Sequence, residues 1–147
     1  MQAQYITDTL LGTLKWNGEY NWYQSNIQFS TERQIEVMVS FDDVEPHVTP
    51  INVVTHARQI YEGVQQKENE MRRFAAGALL KTYNENWRQG KGIDKKAFME
   101  RMTLESMMLY ADGTARLCYS VGDLFGGHSI FVHTDDELYF SSVELVG

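Results

Sequence analysis

Cysteine is almost absent from this sequence of 147 residues. The single cysteine, Cys118, excludes an internal disulfide and fits a reducing compartment. No run of about 18 apolar residues occurs, so the sequence predicts no membrane-spanning helix. The first residues, MQAQYITDTLLGTLKW, contain neither a basic segment nor a long apolar core. We therefore predict no signal peptide and expect a cytoplasmic protein.

Basic residues are also scarce. The 13 Lys and Arg are outnumbered by 20 Asp and Glu, which gives a net charge of −7 with neutral histidines. An acidic surface repels phosphate groups, so we expect neither a nucleic acid nor an anionic membrane as partner. Hydrophobic residues make up 43% of the chain and aromatic residues 12%, which is enough for one core. We predict a single domain over residues 1–147.

The familiar catalytic and phosphate-binding motifs are missing. The sequence contains no C-x-x-C, no H-E-x-x-H, no G-x-S-x-G and no Walker loop. A metal site needs three or four ligands that converge, whereas His128 and His133 would face opposite sides of one strand. We therefore expect no metal site and no cofactor.

Alternating apolar residues predict strands at the start of the chain. Asn17-Gly18 lies between two such runs and is typical of a two-residue hairpin turn. A second turn is expected in STER, residues 30–33, and QIEVMVSF, residues 34–41, alternates as a half-buried strand does. Together these patterns predict a three-stranded antiparallel meander between Leu10 and Phe41.

The middle of the chain is predicted to be helical. Thr49-Pro50 is a typical N-cap and first-turn pair, and apolar residues then recur every three or four positions as far as Trp87. One helix of that length would be unusual, so we predict two, separated near QQKEN, residues 65–69, with the GKG segment at 90–92 ending the second. Asp94 is expected to cap a short third helix.

The last part of the chain is again predicted to form strands. TLESMMLY and ARLCYSV flank the turn signal Asp112-Gly113, and HSIFVH and LYFSSVELV flank the polar segment TDDE. This pattern indicates a four-stranded antiparallel meander. Strands, then helices, then strands, without alternation, predict an α+β fold with the helices on one side of the sheet. The mixed charges of KENEMRR, residues 67–73, are typical of ion pairs on an exposed helix surface.

Four local segments occur in a characteristic order: LLGTLKW, YNENW, FMERMTLESMML and DLFGGHSI. This ordered set resembles the bacterial family known as domain of unknown function 2262. The resemblance covers most of the chain, and DLFGGHSI, with its DLF-GH-I pattern, is the most specific segment. It implies a small bacterial α+β domain. The family has no established activity, so the resemblance implies no catalytic residues.

The stretch around DLFGGHSI offers the one candidate for catalysis. Asp123 would orient the imidazole of His128 as a general acid or base, and Gly126 and Gly127 would let a ligand approach the backbone. The alternative is a structural corner, in which the glycines turn the chain and His128 begins the next strand. A small hydrolase that uses His128 and Asp123 is therefore the alternative function.

The aromatic residues Trp16, Tyr20, Trp22 and Tyr23 bracket the first hairpin and are the candidate binding residues. Trp16 and Tyr20 are expected to pair on one face across the turn. If exposed, the cluster would form an interaction surface; if buried, it would cover the helices. Together with the acidic segments DDVEPH, residues 42–47, and Asp135-Asp136, it predicts a protein-interaction or ligand-binding module of the immunity or adaptor type. We rank a protein partner above a small molecule, and no feature indicates an oligomeric state.

Overall fold

A computed structural model describes residues 3–87 and 92–147 of the chain. Eight strands form one sheet whose order follows the chain from β1 to β8. The strands are β1 (Tyr5–Asp8), β2 (Gly12–Asn17), β3 (Trp22–Ser30), β4 (Arg33–Ser40), β5 (Thr103–Leu109), β6 (Ala115–Ser120), β7 (Ser129–Thr134) and β8 (Phe140–Val146). The helices are α1 (Pro50–Thr82), which continues into a π-helical turn at Tyr83–Trp87, and α2 (Lys95–Arg101).

The sheet is antiparallel at every pairing except the central one. β4 and β5 pair in parallel, and both helices lie in the connection between them. The α+β class is confirmed, but the predicted division into three and four strands is wrong, because β1 adds a fourth strand to the first meander. β1 has only four residues, and its first side chains do not alternate clearly between apolar and polar types. That is too little pattern for a strand to be predicted.

α1 begins as the sequence predicts and then runs farther. Thr49 Oγ1 accepts a hydrogen bond from the Asn52 backbone N–H at 3.2 Å, and Pro50 opens the first turn. The predicted break at residues 65–69 is wrong, since α1 has 33 residues without interruption. Such a helix is about 50 Å long, whereas eight strands cover roughly 34 Å. This length lets α1 contact both edge strands, β1 and β8.

Of the other predicted boundaries, one cap and one turn are confirmed and one turn is wrong. Asp94 caps α2 as predicted, with its Oδ1 accepting from the Ala97 N–H at 2.8 Å. Residues 90 and 91 of the predicted GKG stop lie outside the described residues. The turn at residues 31–32 is confirmed by the pairing of Ser30 with Arg33. The two-residue turn at Asn17-Gly18 is wrong: Asn17 pairs with Trp22, so four residues form the loop.

Both helices pack against the same face of the sheet. The core between them holds three fully buried tyrosines and two fully buried phenylalanines among its largest side chains, namely Tyr23, Tyr61, Tyr119, Phe98 and Phe125. These groups supply much of the apolar area removed from water on folding. Within the described ranges, no helix has both the length and the apolar character that crossing a bilayer requires.

Candidate functional site

The second face of the sheet is not covered by either helix in the described part of the chain, and we call it the open face. Alternate residues of a strand point to opposite faces, so the side chains between the core positions belong to it. Met38 on β4 and Met108 on β5 lie opposite each other there. They are 7% and 5% exposed, yet they do not belong to the helix-side core. The centre of the open face is therefore apolar.

The strand register extends this apolar centre into a row. Gln24, Met38, Met108, Arg116 and His133 are consecutive partners across β3, β4, β5, β6 and β7. We call these five residues the methionine row. Methionine side chains are flexible and polarizable, and they adapt to contacts of different shape. The row thus combines an adaptable apolar centre with polar ends.

Arg116 and His133, at the β6–β8 end of the open face, are held by neighbouring side chains. The Arg116 guanidinium lies 4.3 Å from the centroid of the Phe131 ring, a cation–π contact. His133 Nε2 and Glu144 Oε1 are 2.8 Å apart. These contacts fix the directions of an arginine, a phenylalanine and a histidine side chain next to the row.

The aromatic residues of the first hairpin divide between the two faces. Tyr23 is fully buried on the helix side, and its ring centroid is 5.0 Å from that of Trp16. Tyr20 instead stacks on Trp22 at 4.7 Å, and Trp22 Nε1 donates to Gln24 Oε1 at 2.7 Å. The expected Trp16–Tyr20 pair is therefore wrong, because the four-residue loop shifts the register. Of the four predicted binding residues, Tyr20 and Trp22 adjoin the methionine row.

The structure does not bring His128 and Asp123 together. Asp123 Oδ1 accepts a hydrogen bond from Arg101 Nη2 at 2.7 Å, and its side chain is 90% exposed. His128 Nδ1 lies 2.7 Å from the Phe125 carbonyl oxygen, and its ring meets the edge of Trp87. The hydrolase alternative stays a prediction from the sequence, without the Asp123–His128 hydrogen bond that it needs.

The glycine pair in this stretch has a conformational role. Gly126 and Gly127 have φ values of +60° and +87°, which lie in the left-handed region that side chains disfavour. They turn the chain directly after Phe125, which is fully buried. The glycines lie within the last of three consecutive turns, in which Leu124 N–H donates to the Val121 carbonyl, Gly126 N–H to the Asp123 carbonyl and His128 N–H to the Phe125 carbonyl. The geometry is that of a sharp corner leading into β7.

Cys118 lies on the open face, where it is a half-buried neighbour of the methionine row. Its strand partners are Ser106 on β5 and Phe131 on β7. Burial raises the pKa of the Cys118 thiol. At neutral pH the side chain is therefore a thiol with little thiolate, which suits an apolar contact better than a nucleophile.

One ion pair that the sequence predicts for the helix surface is buried. Glu68 and Arg72 do pair along α1, with Arg72 Nη2 donating to Glu68 Oε1 at 2.6 Å, but the surface location is wrong. Glu68 is only 8% exposed and also accepts from the Tyr119 hydroxyl at 3.0 Å. The i, i+4 spacing gave the partner correctly. The burial of Glu68 could not be predicted in this way, because it depends on β6, which is distant in sequence.

The comparisons with known proteins give one match. A family model described as an uncharacterized protein conserved in bacteria, DUF2262, matches residues 8–145. The match includes the whole methionine row, and it confirms the resemblance. No curated protein and no solved structure matches the chain. Across residues 3–87 and 92–147, no group of three His, Cys, Asp or Glu side chains is placed to hold a metal ion.

Proposed function

The chain belongs to the DUF2262 family of uncharacterised bacterial proteins, and we propose that it is a protein-binding module that uses the open face of its sheet. The observation that supports this proposal is the methionine row. It crosses five strands on a face that the helices leave uncovered, and the stacked pair Tyr20–Trp22 adjoins its β3 end.

The composition of the open face supports a protein partner. Interface centres are enriched in aromatic residues, methionine and arginine and are depleted in other charged residues. Met38 and Met108 occupy the centre, where they are nearly buried, and the half-buried side chains of Trp22, Arg116 and Phe131 lie around them and offer the contact surface. A polar rim surrounds such centres in protein interfaces. Asn26, Glu36 and Glu144 lie at the two ends of the next row of the same face, which also contains Phe131, and they supply that rim.

The size of the open face also suits a protein. Eight strands of about six residues cover roughly 34 Å by 20 Å, or about 700 Å². A standard interface buries about 800 Å² on each partner. The clefts that α1 forms with β1, with the β3–β4 turn and with the β7–β8 hairpin all lie away from the methionine row. A broad sheet face is a poorer site for a small molecule than a cleft is.

Site-specific photo-crosslinking in the bacterial host tests this proposal. Phe131 on the open face is replaced by benzoylphenylalanine, and the matched control carries the same replacement at Phe74, which is 47% exposed on α1. We expect a discrete protein adduct from position 131 and none from position 74. Mass spectrometry identifies the partner.

The identified partner then permits a quantitative test. Trp22→Ala should weaken its binding to the purified chain at least tenfold, as truncation of an aromatic interface residue commonly does. Phe74→Ala should leave the affinity unchanged. Adducts that form equally at both positions, or a partner that binds the two alanine variants alike, would contradict a site on the open face.

A further inference from the structure

A cleft on the helix side has the features of a separate ligand site. It lies where the β3–β4 turn, the middle of α1 and the junction of α2 with β5 meet, and its volume is about 390 Å³. Small-molecule sites commonly measure about 300–1,000 Å³. Four charged side chains and three large apolar ones line it, namely Glu32, Arg33, Glu68 and Arg72 with Phe29, Met102 and Leu104.

The buried carboxylate of Glu68 provides an acceptor in this cleft. Its Oε1 accepts from Arg72 Nε at 3.1 Å, from Arg72 Nη2 at 2.6 Å and from the Tyr119 hydroxyl at 3.0 Å. No hydrogen bond from the described residues reaches Oε2. Glu68 is only 8% exposed, and the carboxylate oxygens of such buried residues almost always have a hydrogen-bond donor. Because Glu68 lines the cleft, an occupant can supply that donor.

Arg33 provides the complementary donor. Its Nε donates to the Leu104 carbonyl at 2.8 Å, and within the described ranges Nη1 and Nη2 have no hydrogen-bond partner. The two Nη groups form a fork that matches a carboxylate. Arg72 differs, because its Nε and Nη2 are bonded to Glu68 and its Nη1 donates to the Met102 carbonyl at 2.6 Å.

We propose that the cleft binds a small zwitterion, a free amino acid with an apolar side chain. Arg33 binds the carboxylate, and Glu68 Oε2 accepts from the ammonium group. The ligand's side chain packs against Phe29, Met102 and Leu104. The two arginines and two glutamates of the lining balance each other, which favours a ligand that carries both charges over a simple cation or anion.

Calorimetric titration with three related probes tests the proposal. Leucine carries both charged groups, N-acetyl-leucine keeps only the carboxylate, and leucinamide keeps only the ammonium. We expect the chain to bind leucine, and each derivative roughly tenfold to a hundredfold more weakly, because a charge-assisted hydrogen bond is lost. Methionine and phenylalanine extend the test to other apolar side chains.

Variants assign the two charged groups to their partners. Arg33→Gln should weaken binding of leucine and N-acetyl-leucine roughly tenfold or more and leave leucinamide unaffected. Arg101→Gln is the matched control, since Arg101 forms an exposed ion pair with Asp123 outside the cleft. Glu68→Gln should instead weaken binding of leucine and leucinamide and leave N-acetyl-leucine unaffected. If Glu68→Gln does not fold, the result for Arg33→Gln alone tests the proposal. Failure of all three amino acids to bind, or equal affinities in Arg33→Gln and wild type, would overturn the proposal.

Discussion

Replacing Tyr119 by phenylalanine tests the energetic role of the buried Glu68–Arg72–Tyr119 cluster. The Tyr119 side chain is fully buried, and its hydroxyl lies 3.0 Å from Glu68 Oε1. Burial, reinforced by the Glu68 charge, raises the Tyr119 pKa well above its usual value, so the hydroxyl stays a donor. A hydrogen bond to a charged group contributes roughly 1.5–3 kcal/mol. Tyr119→Phe should lower the free energy of unfolding by that amount.

Tyr61→Phe is the matched control for this substitution. Tyr61 is 2% exposed, and its hydroxyl accepts a hydrogen bond from the neutral amide of Gln65 at 3.1 Å. A bond between neutral groups contributes roughly 0.5–1.5 kcal/mol. Urea denaturation of the two variants, followed by fluorescence, should therefore show the larger loss for Tyr119→Phe.

A double-mutant cycle with Glu68→Gln separates the charge from the packing. In the Glu68→Gln background the Tyr119 hydroxyl faces a neutral amide, so Tyr119→Phe should cost only roughly 0.5–1.5 kcal/mol. The two substitutions should thus show a coupling energy of about 1–2 kcal/mol. Additive losses, or a loss for Tyr119→Phe no larger than that for Tyr61→Phe, would refute a charge-assisted bond in this cluster.

Two further predictions concern single side chains. Burial raises the pKa of Asp8, but hydrogen bonds from the Leu11 and Leu10 N–H groups and from Arg58 outweigh it, so the pKa is lowered. The charge of Asp8 therefore stabilises the fold at pH values above the ordinary pKa of an aspartate. At neutral pH the free energy of unfolding of wild type should exceed that of Asp8→Asn by about 1 kcal/mol. This difference should disappear in acid denaturation, as the pH falls through the lowered pKa of Asp8 in the folded chain. An advantage that persists in strong acid would contradict this assignment. Cys118, whose pKa burial raises, should react with iodoacetamide more slowly than free cysteine at pH 7; equal rates would contradict its burial.

Much of the fold can be predicted from local chemistry. Caps and turns such as Thr49-Pro50, Asp94 and Asp112-Gly113 act over a few residues, so their sequence signals are specific. The uninterrupted α1 could not be predicted in the same way. Gln65 to Asn69 form a polar stretch, and only contact with the strands makes Glu68 an inward-facing residue. Helix length here depends on the width of the sheet, which is a tertiary property.

Only part of the candidate site could be predicted from the sequence. Trp22 and Tyr20 are among the four predicted binding residues because aromatic residues near a hairpin are conspicuous, but the sequence left open whether they are exposed or buried. The methionine row was missed, because Met38 and Met108 become neighbours only through the parallel pairing of β4 with β5. That pairing joins segments separated by both helices, and no local pattern specifies its register.

The parallel pairing of β4 with β5 has a consequence for the whole molecule. It is the one ladder within the described sheet that links the first four strands to the last four, and it pairs Glu36–Val39 with Ser106–Leu109. Met38 belongs to one half and Met108 to the other. A partner that covers the side chains around both would bind only after the halves have joined, so its binding free energy would add to the stability of the ladder. Substitutions that destabilise the β4–β5 ladder would then weaken binding even where the substituted residues do not contact the partner.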